Sequence, residues 1–335
     1  MKCIRLGARG GLDRLDLTDA PDPGAPASGD IRVRLHATSL NFHDYKVVTS
    51  DRPQTTGLIP MADGGGVVEA VGDGVTDFAP GDHVASTFFP GWLDGPPPFG
   101  DFKTVPGDGV DGYAREVVVA PATAFTRAPH GWSHVEAATL TTAGVTAWRA
   151  LVADGHLQAG DTILALGTGG VSIFALQLAT AMGATTIITS SSDEKLERAR
   201  ALGARGTINY RSVPEWGAEV RRLTDGRGVD HVLEMGGPGT LPQSIVASRI
   251  GGHISLIGTL TGGAGSVPTA AMMVKQIRLQ GLIVGSRRHQ REMVRAIDAT
   301  GIRPIVDRTF ELDALASAFR YEESGAHFGK IAVEF

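Results

Sequence analysis

The sequence predicts an α/β chain in which an irregular, mostly-β region precedes a doubly wound parallel sheet, and two observations carry that prediction. From about residue 160, short apolar runs at 162–166, 185–189, 230–234, 253–257 and 279–284 alternate with helical stretches. Strands that alternate with helices imply a parallel sheet wound in the Rossmann manner. Before that point the candidate strands 31–38, 64–71, 82–86 and 115–120 are separated by Gly, Pro and Asp, which reads as short strands joined by turns.

In the first region, IRVRLHAT at 31–38 alternates apolar and polar residues as a half-buried strand does. Residues 90–112 are too rich in Pro and Gly for regular structure, and a loop of that length is a candidate lid. In the second region, a short run at Thr207–Asn209 supplies a sixth strand. The helix after the first strand places Val171, Phe174, Ala175, Leu178 and Met182 on one face. After residue 300 a helix-plus-strand tail ends in Gly329–Phe335, a segment able to rejoin the first region.

Composition bounds the function. A chain of 335 residues is long enough for two domains. A formal net charge of -5 gives no electrostatic reason to expect nucleic acid as a partner. Cys3 is the single cysteine, which excludes an intrachain disulfide and a four-cysteine zinc site. Arg5, Arg9 and Arg14 punctuate the N-terminus with no apolar run after them, so no signal peptide is read there. No apolar run approaches the roughly 18 residues of a membrane span. The expectation is a cytoplasmic enzyme acting on a small molecule.

The strongest chemical signal follows the run at 162–166. Gly167-Thr168-Gly169-Gly170-Val171 leads into the amphipathic helix, the strand–turn–helix context in which glycines let the backbone approach a pyrophosphate. Ser172 stands where the fingerprint has its third glycine, so the motif alone is imperfect. An NAD-selecting sheet ends its second strand in a carboxylate about 20 residues on. Here that place reads Thr189-Ser190-Ser191-Ser192, with Lys195 close behind and Asp193 and Glu194 reading as the next helix's first turn. Small hydroxyls and a cation suit a 2′-phosphate, which favours NADPH; the bland alternative is a solvated Lys195.

These motifs, with ATLTTAGVTAWRAL at 138–151, DEKLERARALGA at 193–204, Ile208-Asn209-Tyr210 and the terminal Gly329-Lys330-Ile331, resemble the medium-chain dehydrogenase/reductase superfamily over essentially the whole chain. Within it the chain is similar to the quinone-oxidoreductase branch and to alcohol dehydrogenase-like members with an NFHDYKVV segment. The resemblance implies a GroES-like catalytic domain from residues 1–125 and 290–335, a Rossmann domain from 126–289, and an active site in the cleft between them. It implies that Gly167, Thr168, Gly169, Gly170 and Val171 hold the pyrophosphate. Ser190, Ser191, Lys195 and Tyr210 would surround the adenosine 2′-phosphate. Gly258, Thr259 and Val284 to Ser286 would approach the nicotinamide, with Arg287 as an additional phosphate contact. It also implies a homodimer, paired through the apolar edge strand Leu279–Val284.

Zinc members of the superfamily take their metal from Cys, His and a later Cys or Asp. Matched by motif, those positions are Asn41, Ala62 and Thr142 here, with Asp63 in place of the adjoining Glu. Asn, Ala and Thr do not make an open catalytic zinc site, so no metal is expected. Without one, Asn41 would polarise the acceptor oxygen and His43 would serve as general acid, with Tyr45 as a second candidate. Ordinary hydrogen bonding of a structural histidine is the alternative for His43. Phe88, Phe89 and Trp92 would form an apolar lid over a planar substrate, or else plain packing, and Thr142 would border the substrate. The expected activity is zinc-independent, NADPH-dependent hydride transfer to an α,β-unsaturated carbonyl or a quinone. Zinc-free carbonyl reduction is the alternative within enzymes, and an NADPH-binding sensor without turnover the alternative outside them.

Overall fold

The computed structural model describes residues 1–8, 10–52, 56–98 and 100–335, and the chain divides into two units, Met1–Val145 with Val284–Phe335, and Thr146–Ile283. Residues 126–145 and 284–289 fall in the first unit, whereas the sequence division at 125 and 290 puts them in the second domain.

The first unit opens with strands β1 (Lys2–Leu6), β2 (Leu15–Asp19) and β3 (Asp30–Ser39), helix α1 (Phe42–Thr49), and strands β4 (Gly65–Val71), β5 (His83–Ser86), β6 (Val117–Pro121) and β7 (Phe125–Arg127). Helices α2 (His134–Ala138) and α3 (Val145–Trp148) then lead the chain into the second unit's residues. That unit runs β8 (Thr162–Leu166), α4 (Gly170–Ala181), β9 (Thr185–Ser190), α5 (Asp193–Ala201), β10 (Gly206–Asn209), α6 (Trp216–Leu223), β11 (Val229–Glu234), α7 (Leu241–Ala247), β12 (Ser248–Leu256), α8 (Thr269–Lys275) and β13 (Arg278–Gly281). The chain returns to the first unit with α9 (Arg287–Thr300), β14 (Val306–Glu311), α10 (Leu315–Glu323) and β15 (Lys330–Glu334).

The first unit's main sheet has the order β14-β15-β3-β4-β5-β7, with β6 also paired to β3. β3 shows the alternation read in its sequence: Ile31, Val33, Leu35 and Ala37 are buried while Arg34 is exposed. Ile31, Val33 and Leu35 meet Val68, Val84, Val118 and Phe125 in one apolar cluster. A second cluster joins the chain's two ends, packing Ile4 and Leu6 against Leu315, Phe319, Ile331 and Val333. This is why the tail belongs to the first unit: β15 pairs antiparallel with β3, Ala332 opposite Ser39. That pairing carries Lys330 to the mouth of α1.

In the second unit every strand is parallel and the order is β10-β9-β8-β11-β12-β13, a doubly wound sheet of the Rossmann type. Parallel sheets are covered on both faces, and β11 is buried along its whole length. α4 departs from the expected one-sided helix. Ile173, Leu176 and Ala179 are buried as well as Phe174, Ala175 and Leu178, because the helix is enclosed and not half-solvated. The edge strand β13 ends at Gly281, short of the Val284 expected from sequence. Among the described residues no helix is long and apolar enough to cross a membrane.

Candidate functional site

The second unit builds its glycine turn from the end of β8. Gly167 has φ +77°, a left-handed conformation that costs a residue with a Cβ, and a Cβ there would point into open space. Gly169 is the N-cap of α4 and brings no capping side chain. The first N–H groups of a twelve-residue helix therefore lack a side-chain partner, and such a terminus attracts anions. Ser172, in the third-glycine place, donates through Oγ to the Leu166 carbonyl at 2.8 Å. The hydroxyl ties helix to strand, so the departure from the fingerprint leaves the turn intact.

β9 ends beside this turn. The Gly167 N–H donates to Thr189 Oγ1 at 3.3 Å. Ser190 is 4% exposed and its Oγ accepts the Ser192 N–H at 3.2 Å. Ser192 in turn caps α5, accepting the Lys195 N–H at 3.3 Å. Asp193 and Glu194 consequently lie in the first turn of α5, and Asp193 accepts from Asn209 Nδ2 at 2.8 Å. Neither carboxylate stands at the strand end. Tyr210 is exposed, and its N–H donates to the Ser190 carbonyl at 3.1 Å. Gly258 and Thr259 follow β12, with the Gly258 N–H on the Glu234 carbonyl at 3.1 Å. Thus the residues after β8, β9 and β12 share the carboxyl edge of one parallel sheet, where open α/β sheets bind ligands.

The first unit gathers a different set of groups at the start of α1, where Asn41 leaves β3's extended backbone and caps the helix. The centre of the set is Asp63, fully buried. Its Oδ2 accepts from Ser39 Oγ at 2.6 Å and Asn41 Nδ2 at 2.9 Å, and its Oδ1 accepts from Thr142 Oγ1 at 2.6 Å. Lys330, 3% exposed, donates from Nζ to the Leu40 carbonyl and to Asn41 Oδ1, both at 2.6 Å, and lies 3.5 Å from Asp63 Oδ2. Asp44 is buried beside them and accepts from the Asn41 N–H, Asn41 Nδ2 and the Ala62 N–H. Burial, and then the charge of Asp63, push the Asp44 carboxyl well above the usual range. Thr142 reaches Asp63 from a π-helical turn, Leu140–Gly144, a local widening often found at functional sites.

The structure therefore brings Asn41 and Thr142 together, but spends their polar atoms on Asp63. Asn41 donates to Asp63, to Asp44 and to the Ser39 carbonyl at 3.3 Å. That leaves the acceptor-polarising role expected of Asn41 without a free N–H. His43 stands apart from this set: its Nε2 lies 3.3 Å from Asp108 Oδ2, outside good hydrogen-bond alignment. Its ring packs against Phe88 and Phe102, with centroids 5.4 and 4.8 Å away.

Four of the expected site groups have side chains engaged elsewhere. The Tyr45 hydroxyl donates to Glu323 at 2.6 Å and its ring lies against Phe319, so it is committed to α10 and does not join His43. The expected lid is a packed aromatic cluster. Phe88, Phe89 and Trp92 are all nearly inaccessible, and Trp92 Nε1 donates to the Gly95 carbonyl at 3.0 Å. Arg287 is occupied within the first unit, donating to the Phe125 carbonyl at 3.0 Å and to Asp77 at 3.2 Å. Ser286 spends its Oγ capping α9, accepting the His289 N–H. Val284 is buried with φ +44°, a rare conformation for a β-branched residue and one found disproportionately at functional sites.

Sequence reasoning passed over Asp108 and Arg52 altogether, and took Lys330 only as part of a motif. A lysine inside the apolar run Lys330–Val333 and an aspartate between two glycines were the available signals.

Known proteins resemble both units. Residues 27–130 match the alcohol dehydrogenase GroES-like domain and residues 170–299 match the zinc-binding dehydrogenase domain. A zinc-type alcohol dehydrogenase-like protein of Schizosaccharomyces pombe is 41% identical over 97% of this chain and 96% of its own length. The crystal structure of a putative alcohol dehydrogenase from Sinorhizobium meliloti 1021 superposes with a TM-score of 0.92 at 42% identity, covering 99% of this chain and 98% of that one. A structure described as an NAD-dependent alcohol dehydrogenase superposes with a TM-score of 0.89 at 33% identity, each chain fully covered.

Proposed function

The chain belongs to the medium-chain dehydrogenase/reductase superfamily, and from that premise we propose that it transfers hydride from NADPH to an α,β-unsaturated carbonyl or a quinone, without zinc. The observation that carries this reading is the cluster at the start of α1. The three positions that hold zinc in metal-dependent relatives are Asn41, Ala62 and Thr142 here. Two of them are engaged with Asp63, and the third has no polar side chain and spends its backbone N–H on Asp44 and its carbonyl on Ser86. Neutral amide, methyl and hydroxyl groups are poor zinc ligands. A divalent ion beside Asp63 would also have to share the place with the Lys330 ammonium, 3.5 Å from the carboxylate, and two cations so close repel. The chain's own lysine supplies the positive charge that its buried carboxylates need.

The residues of the second unit fit a dinucleotide. The open turn at Gly167 and the uncapped start of α4 offer room and N–H groups for a pyrophosphate. Nicotinamide supplies the hydride when bound. Ser190 and Ser191 at the end of β9, with Lys195 on α5 and Tyr210 after β10, favour the 2′-phosphate, because no carboxylate stands at the strand end to repel it. The NAD-dependent relative favours NADH as a second reading. A homodimer paired through the free edge of β13, beside the exposed Ile283, is part of the same proposal.

Incubating the purified protein with NADPH and a simple enone, enal or benzoquinone tests the reaction class. Saturated carbonyl compound or hydroquinone is the expected product. An allylic alcohol would move the assignment to carbonyl reduction, and no NADPH oxidation with any acceptor would support the sensor without turnover.

A further inference from the structure

Asp108 lies in the long Pro- and Gly-rich segment, yet it is 7% exposed. The glycines on either side explain why. Gly107 has φ +82°, and a Cβ there would come within 2.6 Å of the Met61 nitrogen. A Cβ on Gly109 would come within 2.2 Å of the Lys103 backbone. The Asp108 and Gly109 N–H groups both donate to the Val105 carbonyl, at 3.1 and 3.0 Å, and the Gly107 N–H donates to Val110 at 2.8 Å. The turn is thus closed on itself and pressed against Met61, and the carboxylate has one place to go.

That place is between Arg52 and His43. Asp108 Oδ1 accepts from Arg52 Nη2 at 2.7 Å, and Oδ2 faces His43 Nε2 at 3.3 Å. Burial works to raise the Asp108 carboxyl, but His43 and Arg52 outweigh it and hold the group below its ordinary range. The imidazole ring also meets the uncharged rings of Phe88 and Phe102, and Asp44, on His43's own helix, is a further charge that acts on it. Among the described residues, His43 Nδ1 makes no hydrogen bond.

We propose that Asp108 is a positioning residue: it holds His43 as the Nε2–H tautomer, leaving Nδ1 to carry the proton delivered to the reduced substrate. This rests on the proposed reduction, with His43 as its acid. As hydride adds to the acceptor carbon, the displaced electron pair moves to oxygen. The Nδ1–H bond of the imidazolium breaks, the proton joins the substrate oxygen or the α-carbon of its enolate, and neutral His43 keeps its Nε2–H toward Asp108. Water reloads the ring. A carboxylate that orients an imidazole and stabilises its protonated form is a general device of acid–base catalysis.

The substitution Asp108→Asn separates orientation from packing. Arg52 can only donate, so the amide oxygen turns to Arg52 and the amide NH₂ faces His43 Nε2, forcing the ring to the Nδ1–H tautomer. Asp108→Ala removes the carboxylate without imposing that tautomer. The expected result is a larger loss of kcat/KM for Asn than for Ala, on the order of 10²–10⁴-fold for Asn. NADPH affinity should be unchanged, and Asp108→Asn should cause no further loss in a His43→Gln background. Nitrogen-15 spectra of His43 in the substrate-free enzyme should show Nε2–H in the wild type and Nδ1–H in Asp108→Asn. A ring unchanged by the substitution would overturn the proposal, and so would a switched ring with undiminished turnover. A ring that switches in Asp108→Asn, in a protein whose wild type reduces no enone or quinone, would fault the proposed reaction while upholding the positioning by Asp108.

Discussion

Replacing Lys330 by methionine is expected to destabilise the first unit by about 3–5 kcal/mol, the range seen when one partner of a buried ion pair is removed. Methionine keeps most of the volume and the apolar stem, so the loss isolates the ammonium. Without it Asp63 retains a buried charge with no cation, and Asn41 Oδ1 and the Leu40 carbonyl lose their donor. Hydrogen exchange across β3 and β15 is the suitable measurement, because a two-domain chain need not unfold in one step. Amide protection in those strands should fall in Lys330→Met and recover in large part in Lys330→Met with Asp63→Asn, which removes the orphaned charge. Protection equal to wild type in the single variant would mean that the cluster around Asp63 is neutral and needs no lysine.

Substituting Ser190→Asp should cost NADPH at least about tenfold in affinity, equivalent to about 1.4 kcal/mol. The position is 4% exposed at the end of β9, so a carboxylate there would meet a 2′-phosphate with little water between them, and like charges in a dry setting repel strongly. NADH, with a ribose hydroxyl in that place, should bind as well as before or better. Lys195→Ala should weaken NADPH and leave NADH nearly unchanged. Calorimetric titration with each cofactor reads both variants. Parallel losses for the two cofactors would show that this corner of the sheet does not touch the 2′-phosphate.

The sheet of the second unit was legible because its central strands contain short apolar runs bounded by turns. The runs at 162–166 and 185–189 match β8 and β9 to within a residue. Such periodicity is local, and parallel winding follows from the alternation alone. The Asp63 cluster could not be read the same way. Its members lie at 39, 41, 44, 63, 142 and 330, brought together by β3, the turn before β4, a π-helical turn and the last strand. No local pattern encodes a contact across 267 residues, such as Lys330 with Asp63. Tyr45 shows the opposite failure. It stands two residues from His43, but on α1 that spacing turns the ring away toward Glu323, since neighbours two apart do not share a helix face. Asp108 stayed hidden because a Pro- and Gly-rich run reads as a long loop without regular structure, while Gly107 and Gly109 are what let it close tightly.

The central claim is that a buried lysine–aspartate–asparagine cluster stands where metal-dependent relatives hold zinc, and that reduction by NADPH needs no metal. Elemental analysis of the purified protein, paired with NADPH-driven enone or quinone reduction before and after prolonged chelation, tests it most directly. The account predicts no stoichiometric zinc and a rate unchanged by the chelator. Stoichiometric zinc in the purified protein, with activity lost on its removal and restored by adding it back, would contradict it.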